Sequence, residues 1–194
     1  MSQATTDTTR ERIIDAAEKC FARFGLAKTT VEDIAAAAGL SRATVYRSIT
    51  GGRDELILAV VLRDLQRFMD RLAERLRRKQ SVTDAVIEGT MDAVEFVRNE
   101  PTVAAFLAPE AAGHMQAAVA GAAEHVLALC CDYVRPYFDL AQRERLLRQD
   151  IEVEGTVEFL FRIITSLIVM NRNRDDTGTR SFLRTYVVPV IVGP

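Results

Sequence analysis

The sequence predicts an all-α protein. Only ten glycines and five prolines interrupt the 194 residues, and Trp is absent. Apolar residues make up 48% of the chain and charged residues 27%, which is enough apolar material for a folded core. Apolar residues also recur three and four positions apart in most segments, which is the spacing of one helix face. Several segments begin with capping residues and end at Gly or Pro, as helices do.

The segment TVEDIAAAAGLSRATVYR, residues 30–47, predicts two short helices around a tight turn. Thr30 and Asp33 have the spacing of a capping box, which marks the start of the first helix. Gly39 ends that helix, because glycine adopts the left-handed conformation at little cost. Ser41 then caps the second helix, Arg42 to about Ser48. The apolar face of the first helix consists of Val31, Ile34, Ala35 and Ala38.

The second helix has side chains suited to nucleic acid. Its arginines can bind guanine through two hydrogen bonds, and its Thr and Tyr hydroxyls can donate to phosphate oxygens. The donors are Arg42, Thr44, Tyr46 and Arg47. The alternative is a surface helix that happens to carry two arginines, and a helical hairpin alone does not decide between them.

The flanking residues favour the first interpretation. RERIIDAAEKCFARFGLAKTTVEDIAAAAGLSRATVYRSI followed by GGRDEL, residues 10–56, resembles the amino-terminal DNA-binding domain of the tetracycline-repressor (TetR) family. Two departures are Ile49, where Phe is common, and a loop at residues 50–53 that is one residue longer than usual. Arg53 in that loop replaces the usual Lys.

The resemblance implies a domain organisation and a function. Residues 1–52 would be a helix-turn-helix domain, and residues 53–194 a helical domain for effector binding and dimerisation. The expected function is transcriptional regulation, most often repression, by a homodimer that binds a near-palindromic operator. A small, mostly apolar effector would release it. The alternative is a DNA-binding protein without an effector.

Specific DNA contacts are expected from this domain. Base contacts are assigned to Arg42, Thr44 and Arg47, with Ala43 allowing close approach, and phosphate contacts to Thr30, Ser41, Tyr46 and Arg53, with Lys28 as a weaker candidate. Residues 1–56 contain eight Lys or Arg and eight Asp or Glu, so the domain has no net positive charge. Binding therefore requires that these cations lie on one face.

Other helices follow from capping and breaking residues. A disordered arm is expected at residues 1–7, followed by a helix from Thr8, capped with Glu11, to Phe24. Further helices are expected at about 53–79, 81–99, from Pro101, 110–134 ended by Pro136, 139–147 and 152–170.

The segment 152–170 has apolar residues on two faces, which predicts a helix buried on both sides. One face would pack on its own domain and the other on a second copy, giving a four-helix bundle with a twofold axis. The alternative is that one subunit buries both faces. The residues assigned to the dimer interface are Phe159, Ile163, Ser166, Met170, Phe182 and Tyr186.

The effector pocket would be largely apolar with a few polar anchors. Its candidates are Phe68, Met69, Phe96, Phe106, His114, Met115, His125, Phe159, Arg162 and Met170, although an ordinary core or surface position is the more frequent role for each of these residues. His114 and His125 are too far apart along one helix, roughly 16 Å, to share a metal. No metal or cofactor is expected.

Other function classes receive little support. The sequence lacks a nucleophile elbow, a phosphate-binding loop and paired metal-ligand spacing, so it is not expected to be an enzyme. A helical interaction protein without DNA binding stays open as an alternative. Cys20, Cys130 and Cys131 fit reduced thiols better than disulfides, with a redox sensor as the alternative. No signal peptide or transmembrane run is found, so a cytoplasmic protein, nucleoid-associated when bound to DNA, is expected.

Overall fold

A computed structural model of the chain describes residues 2–77, 81–107, 112–170 and 175–193, without the side chains of residues 2–7 and 105–122. The described residues form helices and no strand, which confirms the all-α prediction. The helices are α1 (Ser2–Phe24), α2 (Val31–Ala38), α3 (Arg42–Ser48), α4 (Gly52–Leu76), α5 (Val82–Asn99), α6 (Pro101–Leu107), α7 (Ala112–Arg143), α8 (Val153–Val169), α9 (Asp176–Phe182) and α10 (Val188–Ile191), with a π-helical turn at Leu183–Val187 between the last two.

The chain divides into two compact units. One comprises Met1–Asp64 and Glu100–Ala122, and the other comprises Leu65–Asn99 and Ala123–Pro194. The boundary between the two units falls within α4. The predicted boundary between the DNA-binding and effector domains, at residues 52 and 53, stays a prediction. Within the described residues, no helix is long and apolar enough to cross a bilayer.

The first unit is built on α1, which packs against α2 and α3. Its fully buried side chains include Ile13, Ala17, Ile34, Ile49, Leu56 and Val60. Ile49 is therefore a core residue, at the position where Phe is common in the family that this segment resembles. Arg63 of α4 binds the Asp15 and Glu18 carboxylates of α1, which links these two helices by charge as well as by packing.

Helix α1 begins at Ser2, so the prediction that it begins at Thr8 is wrong. The structure continues the helix through residues 2–7, which were predicted to form a disordered arm. The physical reason is that extending an existing helix by one residue costs far less than starting a new one. Neither Gly nor Pro occurs between residues 2 and 9 to stop this extension.

The second unit has a core in which α5 packs against α8. The buried core residues are Ile87, Cys131, Phe138, Leu147, Val153, Val157, Leu183, Val187, Val188 and Ile191. Arg180 of α9 also binds Glu88 of α5. The last residues are attached by backbone hydrogen bonds, 3.0 Å from Arg148 N to Ile191 O and 3.0 Å from Gly193 N to Leu146 O.

Pro136 lies inside α7, so the prediction that it ends the helix is wrong. The helix continues to Arg143, and the separate helix predicted at residues 139–147 is also wrong. A proline removes one helical hydrogen bond, but Phe138 beyond it is buried in the core, and this packing holds the following turns in place. The predicted helix starts at Ser81 and Pro101 are confirmed. The predicted breaks near Lys79 and Pro109 lie outside the described residues.

We expect the Pro136→Ala substitution to stabilise the second unit by roughly 1–3 kcal/mol, because it restores a helical N–H and removes the ring clash. Thermal unfolding followed by circular dichroism should show a melting temperature raised by several degrees. Pro101→Ala is the matched control, because Pro101 occupies the first turn of α6, where proline is tolerated. An unchanged or lower melting temperature for Pro136→Ala would contradict the account of α7.

Candidate nucleic-acid interface

The first helix of the interface, α2, begins at a complete capping box. Thr30 Oγ1 accepts the Asp33 N–H at 3.2 Å, and Asp33 Oδ2 accepts the Thr30 N–H at 2.9 Å. The helix ends at Gly39, whose φ of +65° is left-handed, and Arg12 Nη2 donates to the Ala38 carbonyl at 2.9 Å. Both predicted ends of α2 are therefore confirmed, and hydrogen bonds to neighbouring residues satisfy backbone groups at each end.

Helix α3 is attached to the core by one side. Val45 is 1% exposed and is the only residue of α3 in the buried class. Ser41 caps the helix, with its Oγ accepting the Thr44 N–H at 3.2 Å. The side chains exposed on this helix are Arg42, Ala43, Tyr46 and Arg47. The predicted helix-turn-helix is confirmed, and α3 presents the residues assigned to DNA contact.

Local contacts already orient several of these side chains. Arg42 Nη2 lies 2.6 Å from Glu32 Oε1, and Arg47 Nη2 lies 3.5 Å from Thr44 Oγ1. Ser41 Oγ and Thr44 Oγ1 are 2.9 Å apart. Lys28 is exposed in the loop before α2. The interface therefore combines exposed cations with one carboxylate, Glu32, that sequence reasoning did not assign to it.

Arg53 is placed differently from the other assigned phosphate contacts. Its Nε donates to the Thr29 carbonyl at 3.1 Å and its Nη2 donates to the Leu26 carbonyl. Thr29 is itself buried, and its hydroxyl donates to the Gly25 carbonyl at 2.8 Å. The Arg53 guanidinium thus holds the loop between α1 and α2. Sequence spacing gave no signal for this contact, which spans 24 residues.

The Gly-Gly loop has a specific backbone role. Gly52 has a φ of +61°, and a Cβ atom there would lie 3.9 Å from the Tyr46 ring. The Gly51 N–H donates to Glu55 Oε2 at 2.8 Å, which caps the start of α4 with a first-turn acid. The longer loop noted in the sequence is therefore ordered by this hydrogen bond and by that of the Gly52 N–H to the Ile49 carbonyl at 3.3 Å.

The effector candidates do not converge on one cavity among the described residues. Phe68 and Phe96 stack at 4.4 Å and are buried, as is Met69. His125 and Arg162 are exposed, and Arg162 pairs with Glu158. The side chains of Phe106, His114 and Met115 lie outside the described residues. An open cavity of about 450 Å³ is lined by Arg135, Phe138, Asp139, Gln142, Gln149, Asp150, Ile151, Glu152, Val153 and Glu154, and it includes no candidate.

The residues assigned to the dimer interface fall into two groups. Phe159, Ile163 and Phe182 are partly buried against the core of their own unit. Ser166 is exposed, and Met170 and Tyr186 are 63% and 67% exposed. Val169 and Val190 are further large apolar side chains exposed on α8 and α10. The role of all these residues in dimerisation stays a prediction.

The three cysteines are free thiols. Burial, with a smaller contribution from the neighbouring Cys131, raises the pKa of Cys130 to about 11. Burial also raises the pKa of Cys20 and of Cys131. Since the thiolate is the reactive form, these environments favour unreactive thiols over a redox sensor. Among the described residues, no group of three His, Cys, Asp or Glu side chains is placed to hold a metal ion.

We expect Asp33→Asn to lower the melting temperature at pH 7, with an effect that shrinks in acid. Hydrogen bonds from the Thr30 side chain and backbone lower the pKa of Asp33 below its ordinary value of 3.8. The unfolded chain then binds the proton more readily, so the stabilisation is present above about pH 4 and is lost as the pH falls through the folded-state pKa. Melting curves of both proteins between about pH 3 and pH 7 test this.

Thr30→Ala is the matched control for Asp33→Asn, since it removes the same capping box from the other side. It should reproduce the loss at pH 7. A difference between wild type and Asp33→Asn that stays constant down to about pH 3 would show that the carboxylate charge does not contribute.

Comparison with known proteins agrees with this geometry. The sequence pattern of "Bacterial regulatory proteins, tetR family" matches residues 13–60. The chain is also 28% identical over 196 residues to an uncharacterised HTH-type transcriptional regulator of Mycobacterium tuberculosis (strain CDC 1551 / Oshkosh), covering 98% of this chain and 89% of that protein.

Solved structures share the fold. A TetR-family transcriptional regulator from Pectobacterium atrosepticum matches with a TM-score of 0.74 and 18% identity, over 100% of both chains. RolR in complex with the ligand resorcinol matches with a TM-score of 0.77 and 14% identity, over 97% of this chain and 89% of that chain. With the capped helix-turn-helix described above, these findings show that residues 13–60 form a TetR-family DNA-binding domain and that the whole chain is similar to HTH-type transcriptional regulators and shares the fold of TetR-family structures.

Proposed function

We propose that this regulator is a homodimeric, ligand-responsive repressor that binds a near-palindromic operator and is released by a small, mostly apolar effector. The observation that carries the proposal is the exposed surface of α3. The helix is capped at Ser41 and anchored by the buried Val45, so that its polar side chains are held outward in a defined arrangement. Such a helix can enter the major groove and contact base edges. Its target lies on bacterial DNA, so we place the protein in the cytoplasm.

The assigned contacts divide by position on the helix. Arg42 and Arg47 are exposed and suit guanine edges, and Ala43 leaves room beside them for a thymine methyl group. The Thr44 and Ser41 hydroxyl oxygens lie 2.9 Å apart, and the hydroxyl that accepts in this pair keeps its own O–H to donate to one further partner. Tyr46 is 45% exposed and offers its hydroxyl to a phosphate.

The loop before α2 completes the proposed surface. Lys28 is exposed there and suits a phosphate oxygen. The exposed Thr30 hydroxyl would donate to a phosphate by exchanging its 2.6 Å hydrogen bond to Asp33 Oδ2. Arg53 donates to two carbonyls of this loop, so we propose that its main contribution is to position Lys28 and Thr30 rather than to bind a phosphate itself. Weak non-specific affinity follows from the balanced charge of residues 1–56, because the phosphate contribution grows with the number of neutralised charges.

The first experiment is a titration of labelled duplex DNA, taken from beside the gene, followed by fluorescence anisotropy at two salt concentrations. We expect saturable binding that weakens as salt rises. Arg42→Ala should reduce base discrimination by about 1–3 kcal/mol at one position in each half-site. Tyr46→Ala should weaken binding to all sequences about equally, which separates phosphate contact from base contact. Unchanged relative affinities for single-base variants in Arg42→Ala would remove Arg42 from the base-reading set.

Two recognition helices are needed to read a near-palindrome, and this motivates the proposed dimer. Apolar side chains at the end of α8 and on the last helices are exposed in the single chain, among them Met170 and Tyr186. The Phe182 and Tyr186 rings lie 5.4 Å apart, so Tyr186 continues an aromatic surface that begins at the core. A second copy would cover these side chains and form the four-helix bundle.

We expect Tyr186→Asp to shift the protein from dimer to monomer, because the carboxylate would be buried without a partner in the interface. Sedimentation velocity at several protein concentrations measures this shift. Tyr137→Asp is the matched control, since Tyr137 is 43% exposed on α7 and is not assigned to the interface. A dimer that persists in Tyr186→Asp, with Tyr137→Asp equally unaffected, would move the interface elsewhere.

The proposed effector site lies in the second unit. Phe68 and Phe96 stack at 4.4 Å in the second unit, and Met69 is also buried there, so we place the apolar part of the effector site near these side chains. RolR, which shares the fold, was determined with resorcinol. Candidate ligands can be screened by thermal shift, since a ligand at 100 times its dissociation constant adds about 2.7 kcal/mol. A bound ligand that leaves DNA affinity unchanged would favour the alternative, a DNA-binding protein without an effector.

A further inference from the structure

We propose that Glu32 determines sequence specificity by positioning Arg42: its carboxylate directs the guanidinium toward base edges and disfavours its transfer to a phosphate. This inference goes beyond the residues assigned above, none of which is acidic. It rests on the proposed function, in which Arg42 reads a base.

The two acidic residues in the first turn of α2 have different partners. Asp33 accepts hydrogen bonds from Thr30 and is used by the cap of its own helix. Glu32 instead reaches α3, where its Oε1 lies 2.6 Å from Arg42 Nη2. Only Glu32 therefore connects the first helix of the motif to the exposed surface of the second by charge.

Helix polarity explains why Arg42 needs this partner. Arg42 is the first residue of α3, and a cation there opposes the partial positive charge of a helix amino terminus. Glu32 lies in the first turn of α2, where a carboxylate is favoured. Pairing with Glu32 offsets the unfavourable position of the Arg42 charge, while Glu32 itself occupies a favourable one. Its side chains are 60% and 48% exposed, however, and such surface pairs contribute little to stability. A role in folding is therefore an insufficient explanation for the contact.

The position of the pair suits base recognition. The amino-terminal residues of a recognition helix are those that contact base edges. A guanidinium has five N–H donors in a fixed fork, more than one carboxylate can accept, so the same group can also donate to guanine O6 and N7 while Glu32 stays paired with it. These acceptors carry no formal charge. A phosphate brought to the same guanidinium would lie close to the Glu32 carboxylate and be repelled.

The inference has two measurable consequences. Removing the carboxylate frees Arg42 to bind phosphates, so non-specific DNA affinity should rise and the salt dependence should steepen by about one phosphate, a change of about 0.9 in the slope of log K against log salt. At the same time, Arg42 should lose its preferred orientation, and base discrimination at its position should fall by roughly tenfold.

The experiment begins with wild-type protein and selection of bound duplexes from a random DNA library. Affinities are then measured for the selected duplex and its single-base variants, using wild type, Glu32→Ala, Glu32→Gln, Arg42→Ala and the Glu32→Ala/Arg42→Ala double variant. Glu11→Gln is the matched control, because Glu11 is exposed on α1 and has no assigned DNA role. Melting temperatures confirm that each variant is folded under the binding conditions.

We expect Glu32→Ala and Arg42→Ala to lose discrimination at the same base position, and the double variant to lose no more than either one. Non-specific affinity should rise in Glu32→Ala and fall in Arg42→Ala, while Glu11→Gln should keep the wild-type discrimination. Glu32→Gln, which keeps an acceptor without the charge, should show the steeper salt dependence with a smaller loss of discrimination.

Two results would overturn the inference, and they differ from one another. If wild type selects a motif and Glu32→Ala keeps its full discrimination, Glu32 has no role in specificity while the proposed function stands. If wild type selects no motif at all, the proposed operator binding and this inference fail together.

Discussion

Packing of α3 against the first unit is the constraint on which DNA recognition depends. The helix has only seven residues, and a helix this short is not stable alone in water. It exists because Val45 and the following Ile49 are buried with α1 and α2 and because Ser41 caps its first turn. The buried side fixes the orientation of the helix, and the opposite side is left for polar contacts.

The rest of the motif is held by hydrogen bonds from a few side chains to backbone carbonyl groups. Arg12 binds the last turn of α2, Thr29 binds the carbonyls of Cys20 and Gly25, and Arg53 binds the loop before Thr30. Unsatisfied backbone groups at helix ends and in loops would otherwise need water. The Arg12 and Arg53 contacts span 26 and 24 residues, so the geometry of the motif depends on packing across the first unit and not on local spacing alone.

The second unit has a different physical character. Its core is built from apolar faces of α5, α7, α8 and the last helices. Its large exposed apolar side chains lie in two regions. Tyr137, Leu140 and Leu146 lie at and just beyond the end of α7, and Val169, Met170, Tyr186 and Val190 lie at the end of α8 and on the last helical segments. Ion pairs connect its helices, among them Arg180 with Glu88 and the exposed Arg75 with Asp92, whose side chain is only 10% exposed. The predicted effector residues are dispersed between buried and exposed positions, because a periodic pattern identifies a helix face but not which faces enclose a cavity.

The sequence by itself determined the fold class, the helix-turn-helix and its ends. Thr30 with Asp33, Gly39 and Ser41 act on backbone groups within a few residues of themselves, so their effect is readable without the fold. Tertiary structure alone decided the path of α7 through Pro136, the inward orientation of Arg53 and the contact of Glu32 with Arg42. Each of these depends on partners that packing brings together. Packing outweighs the local tendency of Pro136 to end a helix, and the contacts of Arg53 and Glu32 have no counterpart in any local sequence pattern.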